Sequence, residues 1–125
     1  MARFQLDPDP AWDLCEDRDG VLTVELSWLP DGLAARLTEI VASPALVAEL
    51  TAAGLTGFST APAAGYFRED SFVEPGTAPP ELVRLVPGAD PGADFAYVER
   101  AGLTVSERAL QILRAHCRRL EATEL

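Results

Sequence analysis

The sequence predicts an α+β fold: one domain, residues 1–125, in which a small mixed or antiparallel sheet is packed by two or three helices. Three observations lead there. A unit of apolar extended chain, a serine and an amphipathic helix occurs twice, in residues 37–50 and 100–113; Ser43 aligns with Ser106, Val47 with Leu110 and Leu50 with Leu113. Runs rich in β-branched residues, such as Val21-Leu22-Thr23-Val24-Glu25-Leu26, are interspersed with these helical patterns. Finally, 125 residues with 48% hydrophobic content are enough to bury a core without a metal or disulfide staple.

Residues 3–6 are expected as an edge strand ended by Asp7-Pro8-Asp9-Pro10, and Asp19-Gly20 as the turn before a strand over 21–26. In residues 31–41, Leu33, Leu37, Ile40 and Val41 recur at helical spacing, so a helix to about residue 37 followed by a short strand is expected. Ser43 then caps a helix over 44–53: its hydroxyl can accept one of the free N–H groups of the first turn, and Pro44 suits the first helical position. Leu46, Val47 and Leu50 face inward and Gly54 ends the helix. A strand follows over 55–59. Residues 61–80, rich in Pro, Ala and Gly, read mostly as loop. Residues 81–86 carry apolar side chains on both alternating sets, as in a strand covered on both faces. After the Pro87–Gly92 loop signal, Phe95, Tyr97 and 103–105 are extended. A last helix, capped by Ser106, runs from about 107 to 120 and buries Ala109, Leu110, Leu113, Cys117 and Leu120.

Several chemistries lack their residues. A Ser-His-Asp hydrolase needs a histidine base, and the single histidine, His116, sits within the last helix beside Cys117; neighbours on a helix point about 100° apart and form no dyad. One histidine and two distant cysteines cannot make a zinc site. Asp9, Asp13, Asp17 and Asp19 miss the calcium-loop order, which would place Ala11 at a ligand position and Gly20 where a bidentate Glu belongs. Gly54-Leu55-Thr56-Gly57 lacks the lysine and spacing of a phosphate loop. The reading is a protein that is not an enzyme and takes no metal or cofactor. Cys15 and Cys117 are expected as reduced thiols, and the acidic start without an apolar stretch points to the cytoplasm.

The charge is informative. Ten arginines and no lysine face 20 acidic residues, for a net charge of −10. Nucleic acid binding relies on basic groups, and no apolar run approaches the roughly 18 residues that span a bilayer, so neither nucleic acid nor membrane is an expected partner. A basic protein is. Acids concentrate in two segments, and the partner-binding candidates come from both: Asp13, Glu16, Asp17 and Asp19 in the first, and Tyr66, Phe67, Glu69, Asp70, Phe72 and Glu74 in the second. The second set is favoured because aromatic residues ringed by charge, in a Pro- and Gly-flanked loop, have the composition of an interface hot spot. The alternative is that these aromatics, like Trp12 and Trp28, simply fill a core.

Leu50-Thr51-Ala52-Ala53-Gly54-Leu55-Thr56-Gly57-Phe58, preceded by Val41-Ala42-Ser43, together with Leu103-Thr104-Val105-Ser106-Glu107-Arg108-Ala109, resembles bacterial immunity proteins that neutralise polymorphic or contact-delivered toxins. The likeness is to the immunity family described by a double CxxCG motif and to related uncharacterised bacterial immunity families, over residues 37–60 and 80–115. Both CxxCG motifs are absent, so that family's zinc knuckle does not carry over. The resemblance implies a non-enzymatic inhibitor of a cognate toxin, which small size and acidity also fit. A general interaction or regulatory module, or a small ligand-binding domain, are the alternatives.

Overall fold

In the computed structural model, which describes residues 2–125, the chain forms β1 (Arg3–Asp7), β2 (Trp12–Arg18), β3 (Val21–Leu26), β4 (Leu33–Arg36), β5 (Glu39–Ala42), α1 (Pro44–Ala52), β6 (Phe58–Phe67), β7 (Leu82–Pro87), β8 (Phe95–Val98), β9 (Gly102–Ser106), α2 (Glu107–His116) and β10 (Glu121–Glu124). Strands hold 45% of the residues and helices 15%. The molecule is therefore mostly β, and the helix-packed α+β class is corrected. It has a curled six-stranded sheet, β2-β3-β6-β7-β5-β4, and a four-stranded one, β10-β1-β9-β8.

Local sequence explains the hairpins. Asp19 and Gly20 have φ of 53° and 82°, which a two-residue type I′ turn requires at both positions; they join β2 to β3 in antiparallel register, Arg18 opposite Val21. The expected helix before residue 37 is a second hairpin, β4–β5, with Leu33 opposite Ala42. Leu33, Ile40 and Ala42 are buried together on one face while Leu37 stands 86% exposed at the turn. Their helical spacing in sequence is thus a strand–turn–strand spacing in space.

The largest departure lies in residues 61–67, expected as loop but forming most of β6. Its first half pairs with β7 and its second half with β3, overlapping only at Ala63. Pro62, which has no N–H to give, falls in the half paired on one side only. Small residues are needed where the sheet curls: a Cβ on Gly65 would lie 2.9 Å from Leu26 Cδ1 and 3.0 Å from Leu82 Cδ1. The curl brings the chain before β2 against β4, where Asp9 bridges Ala34 and its carbonyl accepts the Ala35 N–H at 3.0 Å. Inside lie Trp12, Leu22, Val24, Leu26, Ala34, Val41 and Leu82.

The two serine-capped units are both present, one in each sheet. Ser43 Oγ accepts the Leu46 N–H between β5 and α1, and Ser106 Oγ accepts the Ala109 N–H between β9 and α2, both at 3.2 Å. The helices pack on each other in a second core: Leu46 and Leu50 meet Leu110 and Leu113 among Ile40, Leu85, Phe95 and Val105. Residues of both sheets contribute to that core. Two further expectations are corrected. The strand at residues 3–6 is internal, between β9 and β10. The last helix stops at His116 because Asp31 accepts the N–H groups of Arg118 and Arg119 at 2.8–2.9 Å, after which the chain adds β10 to β1.

Candidate functional site

Strand β2 is acidic along its length and exposed from Asp13 onward. A register shift between Trp12 and Leu14 seats Trp12, 1% exposed, in the core and turns the chain outward after it. Beyond the shift, Leu14 and Glu16 pair with Glu25 and Thr23 of β3, which in turn neighbours Tyr66 and Ala64 of β6. The outer face of these three strands therefore carries Leu14, Glu16, Arg18, Thr23, Glu25 and Tyr66 around a depression of about 250 Å³. Leu14 is 66% exposed and Tyr66 43%. The Tyr66 hydroxyl donates to Glu25 Oε2 at 3.4 Å.

Arg68, at the end of β6, joins the two acidic segments. Its Nη1 lies 3.1 Å from Asp13 Oδ2 and its Nε 2.7 Å from Asp70 Oδ1; the latter approach lacks the alignment of a full hydrogen bond. Backbone bonds from Arg68 N–H to the Leu26 carbonyl and from Phe72 N–H to the Ser27 carbonyl, at 2.9 and 2.8 Å, hold the following loop beside the end of β3. Phe72 stands 78% exposed there, over Leu29, Val73 and Pro75. From Asp13 to Asp19 an extended chain covers roughly 20 Å, so β2 links that loop to the hairpin tip.

Of the sequence candidates, Asp13, Glu16, Asp17, Asp19, Tyr66, Glu69, Asp70, Phe72 and Glu74 all reach the surface of this region, whereas Phe67 turns inward against the β-sheet core. Four of the acids have arginine partners: Asp13 with Arg36 and Arg68, Glu16 with Arg18, Asp17 with Arg84, and Asp70 with Arg68. The Arg18 hydrogen bond, and then its charge, hold the Glu16 carboxyl below its ordinary range. Among the described residues, Asp19, Glu69 and Glu74 have no such partner. Sequence reasoning missed the arginines as partners, since they are spread over β2, β4, β7 and the residue after β6, and missed Leu14. The available signal for Leu14 was a large apolar residue alone in an acidic strand.

The residues set aside as catalytic candidates are occupied elsewhere. His116 Nε2 meets Glu49 Oε2 of α1. The Cys117 thiol is pushed up to about 11, first by burial and then by Asp31, which leaves it protonated and a poor nucleophile. Trp12 is buried and Trp28 is half-buried with its indole N–H on Asp9, so neither tryptophan is an exposed surface anchor. Among the described residues, no helix is long and apolar enough to cross a membrane. No protein-family model, curated protein or solved structure matches the chain.

Proposed function

We propose that the chain is a non-enzymatic binding protein that neutralises a basic toxin domain, meeting it with the face formed by β2, β3, the end of β6 and the loop after it. One observation carries the reading: Leu14, Tyr66 and Phe72 are exposed beside Glu16, Glu25, Glu69, Asp70 and Glu74 on a frame of hydrogen-bonded strands. Exposed apolar anchors supply the area that binding needs, and the surrounding carboxylates steer a cation-rich partner toward them. The net charge of −10 adds a long-range field of the same sign. The arginine partners refine the picture: among the described residues, Asp19, Glu69 and Glu74, and Glu25 apart from its Tyr66 hydrogen bond, remain free to meet foreign cations.

The test is co-expression with the product of a neighbouring gene that ends in a basic domain, followed by co-purification and a growth assay. Protection from that product and a complex whose association slows as salt rises from about 0.05 to 0.5 M are expected. Reversing Glu69, Asp70 and Glu74 to Lys should slow association by about tenfold, and Phe72→Ala should speed dissociation. A salt-independent association rate, with affinity untouched by either variant, removes this face from the proposal.

A further inference from the structure

We infer that the free edge of β2 receives an extended, cation-bearing segment of the partner as an added strand. The inference rests on the proposed function and names the recognition mode of the same face. Four strands end the two sheets, and two of them are covered by the chain itself. The edge of β4 is met by Asp9, whose carbonyl takes the Ala35 N–H. That of β8 is met by the carbonyls of Thr56 and Gly88, which take the N–H groups of Phe95 and Tyr97 at 3.0 and 2.8 Å. The remaining edges belong to β10 and β2. Among the described residues, no backbone group of residues 13–18 bonds to anything but β3.

Two features favour β2 over β10. It has seven residues against four, and every residue from Asp13 to Arg18 is exposed, so an incoming strand can contact it on both faces. An added strand also lies in line with Leu14 and the depression beside it, giving alternate side chains an apolar contact on one face. Charge then chooses the occupant. Two copies, each of net charge −10, repel, and pairing antiparallel about Cys15 would also set Asp13 opposite Asp17 of the copy. A segment with arginine or lysine at alternate positions meets Asp13 and Asp17, on the face opposite Leu14, and the unpartnered Asp19 at the turn with opposite charge instead. The edge supplies main-chain hydrogen bonds, and the alternation supplies specificity.

The experiment uses the full chain and two capped peptides of alternating arginine and valine, roughly ten residues long to match the strand. One has ordinary backbone amides; the other is N-methylated at every amide, keeping charge and side chains while removing the donors. Binding of the ordinary peptide at least about tenfold tighter than the methylated one is expected. Its binding should slow hydrogen exchange at β2 amides by a similar factor and leave β10 unchanged. Equal binding of both peptides overturns strand addition and leaves the acidic-face reading standing. Protection on β10 overturns the placement. Protection of β2 in the protein alone at high concentration overturns the choice of occupant. Failure of both peptides to bind overturns the inference and counts against the acidic face as well.

Discussion

The Ser106 hydroxyl donates to Asp94 Oδ1 at 2.7 Å while accepting the Ala109 N–H at 3.2 Å. Ser43, its counterpart in the other unit, accepts the Leu46 N–H and, among the described residues, has no carboxylate to hold. The two caps are thus alike in backbone geometry and unlike in what they anchor. Ser43→Ala should cost about 1 kcal/mol, a typical cap loss. Ser106→Ala should cost about 1 kcal/mol more, because Asp94 then loses a donor as well. Urea unfolding of the two variants measures the difference.

Asp94 also makes stability depend on acid. Burial raises its pKa, but hydrogen bonds from Ser106, the Thr56 N–H, Arg108 and the Thr56 hydroxyl outweigh burial and lower it to about 2 from an ordinary 3.8. A depressed carboxylate stabilises the fold fully above its unfolded pKa and loses that contribution as pH falls through the folded one. Stability should therefore decline between about pH 4 and pH 2 by an amount of the order of 2 kcal/mol from this group. Asp94→Asn should lower stability at neutral pH and flatten that part of the curve. An unchanged slope in the variant rules Asp94 out as its source.

Asp9 is 3% exposed and accepts the Trp28 indole N–H at 3.0 Å, the Asp31 N–H at 3.0 Å and an Arg119 N–H at 3.4 Å. It ties the entry to β2, the loop after β3 and the chain after α2. Asp9→Ala strands these donors and should destabilise by about 2–3 kcal/mol. Arg119→Ala should cost under about 1 kcal/mol, since that guanidinium is 56% exposed. Thermal unfolding followed by tryptophan fluorescence separates the two.

The two thiols should differ sharply in reactivity. Cys15 is exposed on β2, whereas Cys117 is half-buried with its pKa raised to about 11. A thiol reagent at neutral pH should modify Cys15 promptly and Cys117 far more slowly, because the thiolate is the reacting form and Cys117 holds its proton. Counting labelled sites by mass over time checks this. Rapid double labelling of the native protein contradicts the packing of Cys117.

Where a single side chain dictates local geometry, the structure was legible in the sequence. Asp19-Gly20 and the capping serines mark their turns and helix starts, and Pro44 begins its helix as its ring permits. What failed was reading composition as structure. Ala63 and Gly65 look like loop residues, but the curl of the sheet needs small side chains beside Leu26 and Leu82. Leu33 and Ile40 look helical because a tight hairpin returns them to one face. Glu121–Glu124 gave no signal at all, since β10 forms by pairing with residues at the far end of the chain. For the candidate site, the acids and aromatics were visible in order, while Arg36, Arg68 and Arg84 come to the acids only through the fold.

The place of β1 between β9 and β10 has a bearing on synthesis. Every pairing of the six-stranded sheet lies within residues 9–87, so that sheet has all its strands once residue 87 has emerged from the ribosome. Strand β1 is made before β9 and β10 and acquires neighbours only with residues 102–124, as Phe4 aligns with Val105 and Glu124. Such separated contacts close slowly. Throughout translation of the intervening chain, Phe4 and Leu6 stay without their native cover, and this waiting segment is where a chaperone or a stray strand would engage the nascent protein.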